Sequence, residues 1–370
     1  GDAARHRAPR RADRAHIEDF GAAMIKILRD PASDWLPGLL ASVDARGLRQ
    51  RGFLDSKAAW SVAAQAYDTL LPGGPFVDFF WTWRFLAQSL LAVATAPLPR
   101  ARLFHPLSTG YAGLMGACAK ARLNTPVLLT EHGIYSNERR IELATARWLH
   151  NSRAGGFSLR GRPRELRDAW LAAFAGMSHA AYRGADAIVT QYEGNQAMQL
   201  AEGAPPDKLH LIPNGVAARS VAARKSGARR KRVAMIGRVA PIKDTRTFIL
   251  AVDRLRHLCP EVEALVVGPD DESPAYAAEC RALAGQLGLG GALRFLGRVP
   301  SIAAIHDEID LLALTSVSEA QPLALLEAGA AGLPAVTTDV GSCREILEGS
   351  RLDPTEGRGG IVAPCGDYEA

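Results

Sequence analysis

The chain has 370 residues, more than a single hydrophobic core usually supports, so we expect two domains. Apolar residues make up 48% and charged residues 22% of the sequence, which is ordinary for a globular protein and excludes the disordered and fibrous classes. The formal net charge of +5 comes from two basic segments, residues 5–14 and residues 219–232. No stacking aromatic residues interleave with the second segment, so we interpret it as a solvated linker rather than a nucleic-acid or anionic-lipid site.

The first 70 residues predict helices, with Ala-rich amphipathic patches and no strong strand. Residues 76–98 are apolar enough to suggest a membrane span, but they include Asp78, Arg84 and Gln88. A charge near the centre of a bilayer costs about 3 kcal/mol, so a buried core helix is the favoured interpretation. The five cysteines are scattered and contain no Cys-x-x-Cys pair, which predicts reduced thiols in a cytoplasmic protein.

From residue 102 onward, short apolar runs alternate with helical patterns, which predicts an α/β fold. Strands that are apolar throughout and joined by helices form parallel sheets, and ligands bind beyond the carboxyl ends of their strands. We predict an N-terminal domain at residues 1–216 with an atypical or truncated first part, a basic linker at 217–231 and a doubly wound C-terminal domain at 232–370. The predicted strands are residues 102–105, 127–131, 187–190, 209–213, 232–236, 263–267, 293–296, 311–315, 335–338 and 360–363.

A glycine turn and two cations follow the first predicted strand of the C-terminal domain. Gly237 allows a tight turn, and Arg238 and Lys243 can both reach a diphosphate that lies above the end of the strand. Because loop cations are commonly only solvated, this segment alone is weak evidence for a phosphate site.

A second group of polar residues follows the fourth predicted strand of this domain. Pro322 suits the first position of a helix, so free backbone N–H groups from Gln321 to Leu323 would form an anion site. Glu319 precedes this helix and Glu327 lies about one and a half turns into it, which can place both carboxylates along one cleft. Two surface glutamates beside an ordinary helix start are the alternative interpretation.

Together these two segments resemble the signature of retaining GT-B glycosyltransferases of family 4, which combines a Gly-Arg…Lys segment with a later Glu-x7-Glu motif. Further segments resemble the PelF-type glycosyltransferases of bacterial Pel exopolysaccharide systems, from about residue 80 to the end. The resemblance implies an α/β GT-B fold in which two Rossmann-like domains face each other across a cleft. The further segments are residues 130–135, 138–142, 191–195, 212–215 and 337–345.

The resemblance also implies a role for each residue of the donor site. Arg238 and Lys243 would hold the diphosphate of the donor, beside the turn at Gly237. Glu327 would hold the ribose, and Glu319 would hold hydroxyl groups of the transferred sugar.

The remaining implied contacts involve the base and the sugar. The backbone near Arg298 and Val299 would face the base. His132, at the end of a strand in the N-terminal domain, would meet the sugar from the other side of the cleft. We therefore predict His132 and Glu319 as the catalytic residues.

Two other patterns suggest different ligands. Asp270 and Asp271, followed by Glu272, could form a metal cluster, but adjacent carboxylates after a strand are usually solvated, and we expect no metal cofactor. The glycines at 288, 290 and 291 resemble a dinucleotide loop, yet they precede a strand instead of following one, which excludes that interpretation.

The sequence departs from the family pattern near both ends. A glycine-rich loop after the first strand is not found, since Gly73-Gly74 lacks a preceding strand and Gly155-Gly156 lies between helical segments. The chain also ends at Ala370, before the usual C-terminal helices. We therefore expect a fragment whose N-terminal domain is incomplete.

The function implied by the resemblance is transfer of a hexose or hexosamine from a UDP-sugar to a growing polysaccharide, with retention at the anomeric carbon. The expected partners are the UDP-sugar, the polysaccharide acceptor and membrane-embedded export components, with no nucleic acid. The protein would be bacterial, cytoplasmic and in contact with the inner membrane through those partners. Two alternatives remain open: a UDP-sugar epimerase of the same fold, and a catalytically silent UDP-sugar-binding module.

Overall fold

The structure, a computed structural model, describes residues 11–43, 53–145, 165–217, 231–349 and 358–369. It divides into two compact units. The N-terminal unit comprises Gly1–Thr190 with Gln196–Leu211, and the C-terminal unit comprises Gln191–Asn195 with Ile212–Ala370. Nearly all of the predicted basic linker and the glycine pair at 155–156 lie outside the described residues.

The described part of the N-terminal unit begins with helices that each bury one face. In the first of them, Phe20, Met24 and Ile27 recur at helical spacing and are at most 2% exposed. These helices share one hydrophobic core. They are α1 (Arg11–Arg29), α2 (Leu36–Val43), α3 (Lys57–Leu70) and α4 (Phe76–Thr95).

The apolar stretch that begins at residue 76 forms α4 and packs into this core. Phe79, Leu86 and Leu90 lie on its buried face. Arg84, on the same helix, donates a hydrogen bond to Asp55 Oδ1 at 2.7 Å. Within the described ranges, no helix is both long and apolar enough to cross a membrane. The prediction of a core helix is confirmed.

A small parallel sheet follows in the N-terminal unit, formed by β1 (Leu128–Thr130), β2 (Ala187–Thr190) and β3 (Leu209–Leu211) in that order. The strand predicted at residues 102–105 is reduced to a single parallel bridge between Phe104 and Val127. In chain order the elements are α5 (Gly110–Leu123), β1 (Leu128–Thr130), α6 (Tyr135–Thr145), α7 (Leu166–Gly184), β2 (Ala187–Thr190), α8 (Glu193–Ala201) and β3 (Leu209–Leu211).

Helices α5 and α7 pack closely because a glycine lies at their contact. A Cβ added at Gly113 would lie 2.7 Å from the Cβ of Ala181, so a larger residue would push the helices apart. Close packing brings the residue before α5 to α7, where the hydroxyl of Ser178 donates to Thr109 Oγ1 at 2.9 Å.

The C-terminal unit is a six-stranded parallel sheet with a hydrophobic core on each face. Alternate residues of its first strand enter different cores, Val233 and Met235 on one face and Ala234 and Ile236 on the other. The elements are β4 (Arg232–Ile236), α9 (Thr245–Leu258), β5 (Glu263–Val267), α10 (Pro274–Gln286), β6 (Leu293–Gly297), α11 (Ile302–Glu308), β7 (Leu311–Leu314), α12 (Leu323–Ala330), β8 (Ala335–Thr338), α13 (Cys343–Glu348) and β9 (Gly360–Ala363).

The strand order in this sheet is β6-β5-β4-β7-β8-β9. The chain builds outward from β4 in one direction, then returns and builds outward from β7 in the other. Such a reversal leaves a crevice beyond the carboxyl ends of the two central strands, where open α/β sheets bind their ligands. The predicted α/β fold with parallel sheets is confirmed.

The core of the N-terminal unit can be tested on α4. Leu91 is fully buried, so Leu91→Ala should lower the free energy of unfolding by about 2–5 kcal/mol through lost burial and the remaining cavity. Leu103 is 48% exposed and serves as the control. Leu103→Ala should change the free energy of unfolding by less than about 0.5 kcal/mol. Because all six tryptophans belong to the N-terminal unit, urea unfolding followed by tryptophan fluorescence reports on it. Equal losses in the free energy of unfolding for the two variants would contradict the burial of α4 in the core.

Candidate functional site

The candidate site lies beyond the carboxyl ends of β4 and β7, where two loops are joined by hydrogen bonds. The hydroxyl of Thr315, directly after β7, lies 2.9 Å from the carbonyl oxygen of Asp244 and 3.2 Å from that of Lys243. The N–H of Val317 donates to the carbonyl oxygen of Ile242 at 2.9 Å. Since β4 and β7 are neighbours in the sheet, two segments that are distant in sequence meet here.

An ion pair between Lys243 and Glu319 crosses this junction. Their side chains are only 19% and 10% exposed. The hydroxyl of Ser316 donates a further hydrogen bond to Glu319 Oε1 at 2.6 Å. A largely buried ion pair is favourable only where additional hydrogen bonds offset the loss of hydration. The ammonium group and the carboxylate are therefore held in place at the strand ends.

Cys343, the first residue of α13, is fully buried and senses the charges of this ion pair. Burial, and secondarily the charge of Glu319, raises the pKa of this thiol to about 12. The thiol therefore stays protonated near neutral pH and acts as a small apolar group of the core, not as a nucleophile.

The start of α12 adds backbone donors to the site. Its first two amide groups, those of Leu323 and Ala324, have no acceptor inside the helix, and the helix dipole favours an anion there. Asn214 holds the segment before the helix, because its N–H donates to Gln321 Oε1 at 2.6 Å and its Nδ2 lies 3.4 Å from the Gln321 carbonyl oxygen. The start of α12 therefore carries backbone donors that have no partner inside the helix, and Asn214 holds the residue that comes just before Pro322.

The structure places Pro322 directly before α12 and Glu327 within it. Pro322 was expected at the first helical position, but its ψ of 116° is extended, so it is the residue before the helix and Leu323 is the first helical residue. Glu327 lies on α12 and is half-buried. Among the described residues, no hydrogen bond or ion pair to the carboxylate of Glu327 is found.

The turn after β8 supports the loop that carries Glu319. Gly341 has a φ of 55°, and a Cβ added to it would lie 2.2 Å from the carbonyl oxygen of Ala320 and 2.5 Å from that of Glu319. The N–H of Ser342 donates to the same Ala320 oxygen at 2.8 Å. A side chain at position 341 would therefore displace the loop that positions Glu319.

A second glycine contact shapes the turn after β4. Gly237 donates its N–H to the carbonyl oxygen of Val267 at 2.8 Å. The next residue along that neighbouring strand, Gly268, has a φ of 143°, and a Cβ added there would lie 2.0 Å from the carbonyl oxygen of Gly237. Position 268 therefore requires glycine for the turn at 237 to form.

The three acids at 270–272 each pair with a different arginine. Asp270 contacts Arg281, Asp271 accepts from Arg298 at 3.0 Å, and Glu272 contacts Arg238. Arg238 and Arg298 thus lie in exposed ion pairs, which are worth at most about 1 kcal/mol, so either guanidinium can turn to a ligand at little cost. Val299, next to Arg298, is half-buried against one face of the sheet core. Within the described ranges, no group of three or more His, Cys, Asp or Glu side chains is arranged to hold a metal ion.

His132 lies in the N-terminal unit, in the turn after β1. Its side chain is exposed, whereas Glu131 before it is fully buried and Ile134 is 4% exposed. The structure thus brings together Lys243, Glu319 and the start of α12, and it places His132 at the carboxyl end of the other sheet.

Several residues of the site were not selected from the sequence. Thr315 and Ser316 carry no signal beyond their place after a strand, because their partners depend on the strand order. Asn214 and Gly341 fall within segments that carried the family resemblance, at 212–215 and 337–345, and that position was the only indication of a role.

Comparisons with known families match different parts of the chain. Residues 2–207, more than half of the chain, match the family described as "Domain of unknown function (DUF3492)". Residues 230–370 match the family described as "Glycosyl transferases group 1". The chain belongs to the DUF3492 family, and its residues 230–370 are similar to group 1 glycosyltransferases. The site at β4 and β7 lies within these residues.

Curated relatives are similar mainly over limited segments. The D-inositol 3-phosphate glycosyltransferase of Corynebacterium urealyticum is 28% identical over 145 residues, which cover 38% of this chain and 32% of the relative. The O-antigen biosynthesis glycosyltransferase WbnH of Escherichia coli is 33% identical over 117 residues, which cover 30% of this chain and 34% of the relative. The chain therefore matches about a third of the length of these two proteins.

A solved structure extends the comparison to the fold. The crystal structure of Anabaena HepE in complex with UDP-glucose matches with a TM-score of 0.54 at 17% identity, covering 85% of this chain and 78% of that chain. Similarity at this level identifies the architecture. The α/β GT-B fold expected from the sequence is confirmed.

The contact at Gly341 can be tested against a glycine with a similar backbone but open surroundings. Gly288 has a φ of 65°, and a Cβ added there would meet nothing within 4 Å. Alanine should cost about 1–2 kcal/mol at either position because of the left-handed backbone. Gly341→Ala should lose about 1–3 kcal/mol more, because its methyl group overlaps the neighbouring backbone. Urea unfolding followed by circular dichroism measures both, and equal losses would contradict the loop contact.

Proposed function

We propose that this protein is a retaining family 4 glycosyltransferase that moves a hexose or hexosamine from a UDP-sugar to a growing exopolysaccharide, in a Pel-like system. The observation that carries the proposal is the junction of Lys243, Glu319 and the start of α12 beyond β4 and β7. A nucleotide sugar offers a diphosphate, which a cation and free helix N–H groups bind, and sugar hydroxyls, which a carboxylate accepts.

The comparisons support the donor and acceptor classes proposed here. HepE, which shares the fold, is described in complex with UDP-glucose. WbnH is named for O-antigen biosynthesis, which is consistent with a polysaccharide acceptor. The similarity of residues 230–370 to group 1 glycosyltransferases supports sugar transfer as the reaction type.

In the proposed reaction, the bond between the anomeric carbon and the β-phosphate oxygen breaks, and the departing UDP takes the bonding electrons. An acceptor hydroxyl forms the new bond on the same face of the sugar, and its proton passes to the departing phosphate oxygen. Negative charge grows on the diphosphate as the bond breaks. Lys243 and the amides of Leu323 and Ala324 would therefore stabilise the transition state more than the bound donor.

The remaining residues are assigned roles in binding. Glu319 would accept hydrogen bonds from hydroxyls of the transferred sugar while it orients Lys243. The carboxylate of Glu327 would hold the ribose. Arg238 would exchange its exposed pairing with Glu272 for the diphosphate.

We further propose that the backbone at Arg298 and Val299 faces the base and that His132 acts on the transferred sugar. The proposal includes no metal, since Lys243 and the helix start supply positive charge. The proposed partners are the polysaccharide acceptor and membrane-embedded export components, with transfer at the cytoplasmic face of the inner membrane.

The role of Lys243 gives a direct test. Lys243→Ala should lower kcat/KM for transfer about 100- to 1,000-fold, because a preorganised charge at the leaving group is lost. Lys231→Ala is the matched control, since Lys231 precedes the same strand at its opposite end and its side chain is 69% exposed. The control should retain wild-type activity. Unchanged transfer by Lys243→Ala would exclude this assignment.

A thermal-shift panel followed by NMR identifies the donor and separates the transferase from the epimerase and from the silent binding module. A UDP-sugar at about 100 times its Kd should stabilise the native state by about 2.7 kcal/mol, so a thermal-shift panel of UDP-sugars selects the donor. NMR then follows the selected donor with and without an oligosaccharide acceptor. An epimer formed without acceptor, or binding with no turnover in any mixture, would contradict the transferase proposal.

A further inference from the structure

Glu131, the residue after β1, is fully buried in the N-terminal unit. Four groups of the described residues donate hydrogen bonds to its carboxylate, two at each oxygen. Thr109 Oγ1 at 2.9 Å and the N–H of Tyr135 at 3.3 Å donate to Oε1. The hydroxyl of Tyr182 at 2.7 Å and Nε2 of Gln199 at 3.0 Å donate to Oε2. A buried carboxylate is stable only when donors replace its hydration in this way.

The four donors come from four different elements of the fold. Thr109 directly precedes α5, Tyr135 is the first residue of α6, Tyr182 lies on α7 and Gln199 lies on α8. One carboxylate therefore links the residue before α5 with residues of α6, α7 and α8.

The donor set matches an ionised carboxylate, which only accepts hydrogen bonds. The backbone N–H of Tyr135 can only donate, and it lies at the start of α6, where the helix dipole favours negative charge. Burial, and secondarily the charge of Glu131, raises the pKa of Tyr182, so its hydroxyl keeps the proton that it donates.

The backbone of Glu131 is held as firmly as its side chain. Its N–H donates to the carbonyl oxygen of Val189 at 2.9 Å, and its own carbonyl oxygen accepts from Thr190 Oγ1 at 3.0 Å. Three residues later, Ile134 is buried and its carbonyl oxygen accepts from the N–H of Glu138 at 3.0 Å. The turn 131–135 is thus anchored on both sides of the exposed His132.

We propose that Glu131 is a positioning residue for sugar transfer, which fixes the turn 131–135 and thereby directs the imidazole of His132. This inference rests on the proposed function of His132. Hydrophobic residues of similar volume commonly replace buried charges without loss of stability. A hydrophobic residue at position 131 would leave the amide of Tyr135 and the side chain of Gln199 without this acceptor. The turn 131–135 would then lose the hydrogen bonds that fix its direction.

The variant Glu131→Gln tests this role in the full chain. It should lower kcat for transfer about 100-fold, because a displacement of about 1 Å at a reacting group has an effect of that size. The affinity for UDP, measured by calorimetry, should not change, because its proposed site lies in the C-terminal unit. Glu18→Gln is the control and should behave as wild type, since Glu18 is an exposed carboxylate of the N-terminal unit that pairs only with Arg14 in the described structure.

A double variant separates positioning from general stabilisation. If Glu131 acts through His132, Glu131→Gln combined with His132→Ala should be no slower than His132→Ala alone, within about two-fold. Losses that multiply would overturn the proposal, as would wild-type kcat in Glu131→Gln.

A second variant and a second measurement cover the remaining outcomes. If Glu131→Gln does not fold, Tyr182→Phe removes one donor, keeps the ring packing and should show the same non-additive loss with His132→Ala.

If the wild-type chain transfers no sugar, the proposed function fails separately, and NMR of the His132 ring still tests the turn. The ring signal should shift or broaden in Glu131→Gln but not in Glu18→Gln, and an unchanged signal would overturn the positioning role.

Discussion

The candidate site depends on the pairing of β4 with β7 in the parallel sheet. This pairing places the loop after each strand against the other, and Thr315 fixes the contact by its hydrogen bonds to the carbonyls of Lys243 and Asp244. Only then can Lys243 reach Glu319. The chemistry of the site therefore follows from strand order, and neither loop could form it alone.

Both sheets use the same physical arrangement at their carboxyl ends, where a carboxylate with little access to water is surrounded by donors. In the C-terminal unit Glu319 accepts from Lys243 and Ser316. In the N-terminal unit Glu131 accepts from donors on four elements of the described structure. The first arrangement holds a cation at the ends of the strands, whereas the second links several helices of the fold.

Much of the fold could be predicted from the sequence because the strands are apolar throughout and have clear ends. The strands at 232–236, 263–267 and 335–338 have the predicted bounds. The strand at 102–105 was overpredicted, since only Phe104 pairs with a neighbour. The hydrophobic pattern identifies buried segments. It does not predict how many residues of a segment at the edge of a sheet pair with the neighbouring strand.

The site could be predicted only as far as its residue types. Glu319, Lys243 and the helix start were selected by pattern and resemblance, but their direct contact depends on which strands are adjacent. Likewise, the pairing of Arg238 with Glu272 could not be read from the sequence, because the acids at 270–272 look like one cluster until the fold gives each its own arginine. Long-range geometry was the missing information in every case.

The most direct measurement is a crystal structure of the full chain with UDP bound. We expect oxygens of the diphosphate to lie about 3 Å from Lys243 Nζ and from the backbone nitrogen of Leu323 at the start of α12. UDP bound elsewhere on the protein, with the ion pair between Lys243 and Glu319 unchanged, would contradict the assignment of this junction as the donor site.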